Sequence, residues 1–360
     1  MLNNYKKNFI AHVLLLPLFN LPLTISHVFA QDTALGLEEV IVTARKREQS
    51  LQDVSVAVTA LPESVIKDAQ ITSSEDLTYL VPSLNLQKGS NPRQTSFNIR
   101  GIGTQSFSTA VEPSVSTMLD GVVMGRSGNS FMQLLDVQRI EVLRGPQGTL
   151  FGKNSTAGVI HIITKNPTDE HEGEVSLALV EEDEYRGGAS FSGPLGDELG
   201  YRLTLSGLTM KGYIDNEFSG EKLDNADDWT VRAKLRWQPS DSLELKWTSD
   251  YGRRDCNCSS VAIRSLNSFG GNDDQIDSIL AELAPVTPGD DNNRVNVNHK
   301  PVNDWQSWGH ALDVNWDIGE FTLTSITSYR EYQVEASTDD DSRPVDVIGF
   351  NQSGDTAQDQ

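Results

Sequence analysis

The residue groups that could carry chemistry in this sequence are few, and none has the spacing of an active site. There is no Ser/His/Asp grouping, no H-E-x-x-H motif and no carboxylate pair in a recognisable frame. Residues 101–106 hold two glycines of a dinucleotide-binding loop without its strand–helix context. Residues 148–154 place three residues between glycines and Asn154 after Lys153, whereas a phosphate-binding loop needs four residues and a hydroxyl. We therefore predict no enzyme, no catalytic residue and no cofactor.

The possible metal ligands are two cysteines and two acidic runs. Cys256 and Cys258 form a single C-x-C, which has too few ligands for a structural zinc site that normally takes four. A bridge between them and a pair of free thiols are both open. The aspartates at 290–291 and 339–341 could bind calcium or lipopolysaccharide cations, or be solvated loop charge, and neither run has EF-hand spacing. We predict no metal site.

One stretch, residues 134–167, separates two kinds of sequence. It reads as two short strands, 139–144 and 159–164, joined by a loop rich in glycine. In the first strand Ile140 and Val142 point to one side, and Arg139 and Glu141 point to the other. Short elements precede this stretch, and long alternating strands follow Pro167. The sequence therefore predicts two architectures that meet here.

A family resemblance rests on this stretch, LLDVQRIEVLRGPQGTLFGKNSTAGVIHIITK, which resembles the plug signature of TonB-dependent outer-membrane transporters. FNIRGIG at 97–103 and MLDGV at 118–122 resemble two further plug segments in the expected order. The resemblance implies an α+β plug domain at 54–168, followed by antiparallel transmembrane β-barrel strands at 169–360. We expect the tight turns of the plug at its glycines, namely Gly101, Gly103, Gly121, Gly145, Gly148 and Gly152.

The N-terminus has the pattern of an export signal. Lys6 and Lys7 precede an apolar core at 9–19, and a small-residue cleavage site follows near Ala30. An uncleaved helical anchor is the alternative, although Pro17 interrupts the apolar core. We predict a signal peptide at 1–30 and a periplasmic segment at 31–53.

A short β-prone run lies within that periplasmic segment. It comprises Glu38, Glu39, Val40, Ile41, Val42, Thr43 and Ala44. Its polar flanks predict a flexible extended peptide, which could add as an edge strand to a partner's sheet. In the family this position is the TonB box, which the periplasmic energy-transducing protein TonB grips. The alternative is that the run is simply the first strand of the plug.

Composition excludes some partners. With 29 basic and 51 acidic residues the net charge is −22, which argues against a nucleic-acid partner. The hydrophobic share is 37%, and no run approaches the roughly 20 apolar residues of a membrane helix. A membrane barrel is compatible with this composition, because only one face of each strand is apolar.

From residue 174 the hydrophobic period becomes two. The clearest case is 229–237, where Trp229 and Trp237 end an apolar face and Arg232, Lys234 and Arg236 occupy the other. Such a strand separates two solvents, and aromatic strand ends suit a membrane interface. We predict seven strands, near 174–181, 185–193, 200–210, 229–237, 243–251, 308–316 and 320–331, and a polar loop at 351–360.

The connections between these strands alternate in length. The joins at 194–199, 238–242 and 317–319 are tight, as periplasmic turns are, and those at 211–228 and 252–307 are long and polar, as extracellular loops are. The join at 181–184 is short where its place in the order makes it extracellular. Seven strands cannot close a plugged barrel, which needs about 22. We therefore expect the N-terminal part of a barrel.

The expected function is energised import across the outer membrane of Gram-negative cells. The resemblance implies a scarce, bulky cargo, most often a ferric siderophore or similar metal chelate, with cobalamin, haem or a glycan as alternatives, and membrane lipid and lipopolysaccharide as surroundings. A non-transporting relic is the rival interpretation. Four charged plug residues, Arg100, Arg139, Glu141 and Arg144, are expected to face the barrel wall and hold the plug by ion pairs, rather than being plain surface charge.

Overall fold

The computed structural model describes most of the chain after residue 39. The described residues are 40–43, 46–47, 49–87, 95–104, 111–126, 133–181, 183–258, 260–266, 273–339, 341–345 and 349–360. All of them belong to one compact unit, Glu39–Gln360. The predicted signal peptide, together with Glu38, Glu39 and Ala44, lies outside the described residues.

The first part of this unit is an α+β domain, which we call the plug. Its strands are β1 (Ile41–Val42), β2 (Gln49–Ser50), β3 (Val58–Pro62), β4 (Leu84–Gln87), β5 (Ser96–Ile99), β6 (Ile102–Gly103), β7 (Val115–Leu119), β8 (Val122–Val123), β9 (Val137–Arg144) and β10 (Gly158–Thr164). Its helices are α1 (Glu63–Asp68), α2 (Leu77–Leu80) and α3 (Gly148–Phe151). The main sheet has five strands in the order β3-β9-β10-β7-β8, with β10 parallel to β7 and antiparallel to β9.

Strand β9 is buried on both faces. Ile140 and Val142 pack into the larger apolar cluster of the plug, and both are fully buried. Leu143, on the opposite face, packs into a second cluster with Val42 and Phe151. An alternating strand normally leaves one face to solvent, whereas this strand is covered on both sides. Strand β9 therefore contributes to both apolar clusters of the plug.

The second part is an eight-stranded antiparallel sheet in chain order, which we call the wall. Its strands are β11 (Glu172–Val180), β12 (Glu184–Pro194), β13 (Leu199–Met210), β16 (Ala226–Ser240), β17 (Leu243–Cys256), β19 (Val302–Ile318), β20 (Phe321–Asp339) and β21 (Gly349–Asp359). The seven predicted strands are confirmed, most of them with longer ends. In the described chain β11 and β21 pair on one side only, so the sheet is not closed.

The two faces of the wall meet different surroundings. On β16, Arg232 and Lys234 on the inner face are 9% and 5% exposed. Trp229 and Trp237 lie eight residues apart on β16 and point outward, 45% and 48% exposed. At ~3.3 Å per residue they are about 26 Å apart along the strand, which for a strand tilted by about 40° is a height of about 20 Å, within an apolar band about 25 Å tall. The outward face therefore has the pattern of a lipid-facing surface.

The prediction of a polar loop at 351–360 is wrong, because this segment forms most of β21. The backbone of Gln360 exchanges two hydrogen bonds with Ser328, at 2.8 and 3.0 Å. The Gln358 and Gln360 side chains bond to the backbone of Val123 at 3.3 and 2.9 Å. The polar composition suggested a loop, but these polar side chains face the plug.

The long connections between wall strands also contain ordered structure. Three short strands, β14 (Ile214–Asn216), β15 (Lys222–Leu223) and β18 (Arg294–Val295), form a small sheet in the order β15-β14-β18. One helix, α4 (Asp273–Leu283), lies in the same connection as β18. None of the described helices is long and apolar enough to cross a membrane. Cys256 and Cys258 form a disulfide, which decides between the two alternatives left by the sequence.

Candidate functional site

The strongest contact between the plug and the wall is an ion pair between Asp136 and Arg202. Asp136 lies in the turn before β9, and Arg202 points inward from β13. The Arg202 Nε and Nη2 atoms donate to the two carboxylate oxygens at 2.6 and 2.5 Å, and Thr204 Oγ1 donates at 2.6 Å. The side chains of Asp136 and Arg202 are 4% and 3% exposed. This is the bidentate geometry that makes an arginine–carboxylate pair strong.

Arg202 is also held on its own side of the interface, whereas the donors to the Asp136 carboxylate come from the wall. The Arg202 Nη1 atom lies 2.7 Å from Glu172 of β11, whose side chain is half-exposed. Burial raises the pKa of Asp136, but hydrogen bonds from Arg202 and Thr204 outweigh burial and lower the pKa overall. Asp136 is therefore ionised at neutral pH, and its charge is balanced from the wall.

A second ion pair joins the plug to β16. The Lys234 Nζ atom lies 2.9 Å from Asp120 in the turn between β7 and β8. Thr164 donates to the same carboxylate from its backbone N–H at 2.8 Å and from its hydroxyl at 2.7 Å. Burial raises the pKa of Asp120, but Lys234, Arg232 and the bonds from Thr164 outweigh burial and lower the pKa to about 2. This turn is therefore fixed to the wall as well as to β10.

A third contact is more exposed. The Lys67 Nζ atom lies 2.7 Å from Glu174 of β11, and Lys165 lies 2.6 Å from Glu63. Lys67 and Glu174 are about half exposed. Exposed pairs of this kind contribute roughly 0–1 kcal/mol. This contact therefore adds less to plug attachment than the two buried pairs.

A cavity of about 540 Å³ lies between the plug and the wall. Its charged lining residues are Lys46, Arg139, Lys234, Lys246 and Arg330, with Asp120, Asp250 and Asp313. Within the wall, Arg330 and Asp250 pair at 2.6 Å. Because charged side chains surround this space, it suits water and polar solutes rather than apolar ones.

The described part of the predicted TonB box is docked on the plug. Strand β1 pairs with β2, Leu51 donates to the Val40 carbonyl at 2.8 Å, and Val42 is fully buried. The Thr43 N–H donates to Glu141 Oε1 at 2.7 Å. The expectation of a free extended peptide is wrong for residues 40–43, because Val42 packs into an apolar cluster of the plug and Thr43 bonds to the Glu141 carboxylate. The binding of TonB to this segment stays a prediction.

The predicted latch is corrected in part. Arg139 and Glu141 do not pair with the wall: the Arg139 Nε donates to Glu141 Oε1 at 2.9 Å, inside the plug. Alternation placed Glu141 on the side opposite Ile140, but β1 covers that side. Arg100 is exposed, and Arg144 Nε has no hydrogen-bond partner in the described structure. For these two arginines the latch stays a prediction.

The sequence did not single out the residues that attach the plug to the wall, namely Asp120, Asp136, Arg202 and Lys234. A signal was present: inward-facing cations recur on the wall strands, and a buried cation needs a counter-charge. Asp120 and Asp136 both have positive φ, 48° and 61°, at turns where aspartate tolerates the left-handed region. An acidic residue at a plug turn was therefore a better candidate for pairing with a wall cation than an acidic residue within a plug strand.

Among the predicted turn glycines, Gly101, Gly121, Gly145 and Gly152 have positive φ, and Gly103 and Gly148 do not. Gly121 also allows a close approach, because a Cβ at this position would lie 2.7 Å from Ile326 Cδ1 of the wall. Ile326 Cδ1 is the end of a flexible side chain that can move, so the φ of +84° is the larger obstacle to a side chain at Gly121.

The acidic loop residues make local hydrogen bonds. Asp339 accepts from the backbone of His299 at 3.1 Å and of Ser342 at 2.9 Å. Within the described ranges, no group of three or more His, Cys, Asp or Glu side chains is placed to hold a metal ion. The predicted lipopolysaccharide contact stays a prediction.

Fold and interface together define a class of protein: an antiparallel wall with an apolar outer face, filled on its polar side by a small α+β domain. Comparison with known proteins makes the assignment narrower. A family model for the TonB-dependent Receptor Plug Domain matches residues 50–159. The Pesticin receptor of Yersinia pestis is 34% identical over 218 residues, which are 59% of this chain and 32% of that protein.

Two further matches agree. The Ferric enterobactin receptor PirA of Pseudomonas aeruginosa is 30% identical over 185 residues, 47% of this chain and 24% of that protein. The crystal structure of the ferric yersiniabactin uptake receptor FyuA from Yersinia pestis superposes with a TM-score of 0.70 at 22% identity. The superposition covers 84% of this chain and 44% of the FyuA chain. At 22% identity this similarity concerns the fold alone.

Residues 50–159 of this chain match the plug domain of the TonB-dependent receptors, and the chain as a whole is similar to such outer-membrane receptors. It spans about a quarter to a third of the length of these two curated relatives. The matched region includes the plug signature on which the sequence-based resemblance rested, so that resemblance is confirmed.

Proposed function

We propose that this chain forms the plug and part of the barrel wall of an active importer of a ferric siderophore or similar metal chelate across the outer membrane. The observation that carries the proposal is the plug's attachment to the polar face of the wall through the buried pair of Asp136 and Arg202. A plug domain held in this way would block the lumen, and it would be released when a small number of polar contacts break.

The energy for that movement would come through the N-terminal segment. We propose that TonB grips residues 38–44 as an added strand and pulls on the plug, using the proton-motive force. The docked position of β1 supports a role at the plug surface, because a segment attached there transmits a pull directly to β9. Export through a signal peptide cleaved near Ala30 is part of the same proposal.

The cargo is proposed from the relatives. The name of the Pseudomonas relative specifies ferric enterobactin, and the superposed structure is a ferric yersiniabactin uptake receptor. Cobalamin, haem and glycans are the alternative cargoes. The small outer sheet formed by β14, β15 and β18 would lie on the ligand side, because long wall connections are extracellular in such barrels.

The test is uptake of radioactive iron chelates by iron-limited cells that carry the full-length gene or lack it. We expect gene-dependent accumulation of at least one chelate, and we expect an uncoupler to abolish accumulation while surface binding persists. Val42→Pro, which places a residue without an N–H in the gripped strand, should bind chelate at the cell surface but not import it. Gene-dependent uptake that continues undiminished after the proton-motive force is dissipated would refute energised import.

A further inference from the structure

One buried carboxylate in the plug is not used by the plug–wall contacts. Glu141 lies in the middle of β9 and its side chain is 0% exposed. Its Oε1 atom accepts three hydrogen bonds: from the Thr43 N–H at 2.7 Å, from the Thr43 hydroxyl at 3.1 Å and from Arg139 Nε at 2.9 Å. Because a buried carboxylate is costly unless it is paired and hydrogen-bonded, this arrangement depends on both partners.

The three bonds have different roles. Arg139 lies on the same strand, two residues away, and supplies the opposite charge, which makes burial of the carboxylate tolerable. Thr43 comes from a segment 98 residues away in the chain, so its two bonds fasten that segment to β9. The carboxylate is therefore a point of attachment and not only an ion pair.

The N-terminal segment has few other attachments among the described residues. Strand β1 has two residues and pairs with β2, which belongs to the same hairpin and would move with it. The Val42 side chain enters an apolar cluster with Leu143 and Phe151, and Lys46 lies 5.1 Å from the Phe151 ring centroid. Among the hydrogen bonds of the described residues, the two from Thr43 to Glu141 are the short polar links between this segment and the main plug sheet, and a longer one runs from Arg139 Nη2 to the Thr43 hydroxyl at 3.5 Å.

We propose that Glu141 is a positioning residue that holds the N-terminal strand on the plug through Thr43. Removal of this carboxylate frees the strand while the plug stays folded. The part that Glu141 plays in import, setting how readily the strand becomes available to a periplasmic partner, rests on the function proposed above. The proposal that Glu141 holds the strand on the plug does not depend on that function.

The experiment uses Val42→Cys as a reporter, in the full chain with Cys256→Ser and Cys258→Ser to remove other thiols. A thiol at position 42 is buried while β1 is docked and reacts with a maleimide only when β1 leaves. We expect Glu141→Ala to speed the labelling about 10- to 100-fold, because hydrogen bonds to a charged group shift an equilibrium by that factor. Glu141→Gln keeps an acceptor oxygen for Thr43 and should give an intermediate rate.

Two controls separate release of the strand from general loosening. Glu112→Ala removes a carboxylate that pairs with Lys153 at 2.6 Å on the plug surface, and should leave the labelling rate unchanged. A second reporter, Ile160→Cys, is fully buried in the other apolar cluster and should stay slow in Glu141→Ala.

Each outcome decides the proposal. An unchanged rate at position 42 in Glu141→Ala overturns it, since β1 is then held by apolar contact alone. Equal acceleration at positions 42 and 160 also overturns it, because Glu141 then stabilises the whole plug. The measurement uses purified protein without TonB or chelate, so failure of the import proposal leaves its result intact.

Discussion

Replacing Arg202 by methionine should weaken attachment of the plug more than any single change elsewhere in the interface. Arg202 is 3% exposed, and its loss leaves the equally buried Asp136 carboxylate without its bidentate partner. Breaking a buried pair from one side costs about 3–5 kcal/mol, because an uncompensated charge remains. The Asp136 carboxylate still accepts a hydrogen bond from Thr204 at 2.6 Å. The expected cost therefore lies toward the lower end of that range.

The partner change gives a different result. In Asp136→Asn, Arg202 still has Glu172 at 2.7 Å, so the cation keeps a counter-charge and the expected cost is smaller, about 1–2 kcal/mol. Asparagine also tolerates the φ of 61° at position 136. In the double variant Glu172 also loses Arg202 but is half-exposed, and no buried unpaired charge remains, so it should be more stable than Arg202→Met alone by at least about 1.4 kcal/mol, a factor of ten.

The assay is hydrogen exchange, followed by mass spectrometry, of the plug peptide that contains Val123, whose amide donates to the Gln360 side chain of the wall at 2.9 Å. All six tryptophans of the chain lie in the wall, so their fluorescence reports separately whether the wall stays folded. In Arg202→Met we expect faster exchange at Val123, with unchanged exchange in β9 and β10 and unchanged fluorescence. Because the pKa of Asp136 is lowered in the folded state, its contribution is present above its unfolded pKa of about 3.9 and is lost as pH falls below that value. Costs of the two single changes that simply add in the double variant would refute the reasoning.

Three further perturbations test the rest of the interface. Gly121→Ala places a Cβ at a φ of +84° and should destabilise this turn of the plug by about 1–3 kcal/mol, whereas Gly196→Ala, at a position with no positive φ and nothing within 4 Å, should be neutral in the same exchange assay. Burial lowers the pKa of His161, so the stability of the plug should fall by up to about 1.4 kcal/mol per pH unit as pH drops below about 6.5. Urea unfolding curves measured across this pH range should show the fall in the wild type and not in His161→Gln. Asp120→Asn should speed exchange of β10 amides at pH 7, and the wild-type contact should persist to below pH 4, because the pKa of Asp120 is about 2.

The wall was predictable from the sequence because its side chains alternate between lipid and a polar interior. That period gave seven strands to within a few residues at most ends. It failed for β21, where Ser353, Asp355 and Asp359 are among the exposed residues and where Gln358 and Gln360 bond to the plug. Periodicity detects a strand between two different solvents, and it does not detect a strand whose two faces carry similar side chains.

The site was less predictable, and Glu141 shows why. Alternation in β9 correctly separated Glu141 from Ile140, but it cannot say what covers each side. The cover comes from Thr43, which is 98 residues away in the chain. The attaching acids Asp120 and Asp136 were missed for the same reason, since their partners lie on wall strands far along the sequence. Local pattern predicts the orientation of a side chain, and tertiary contact decides its partner.

The distribution of apolar contact explains how such a plug can be both firmly held and removable. Two of the three apolar clusters in the described structure consist of plug residues alone, and the third lies in the outer connections of the wall. The plug therefore keeps its own core when it moves, and the strongest contacts it gives up to the wall are ion pairs and hydrogen bonds that water replaces. A plug that shared its core with the wall would have to expose apolar surface in order to leave, at a cost of roughly 25 cal/mol per Å². Polar attachment around a self-contained core favours displacement of the plug as a body over its unfolding in place.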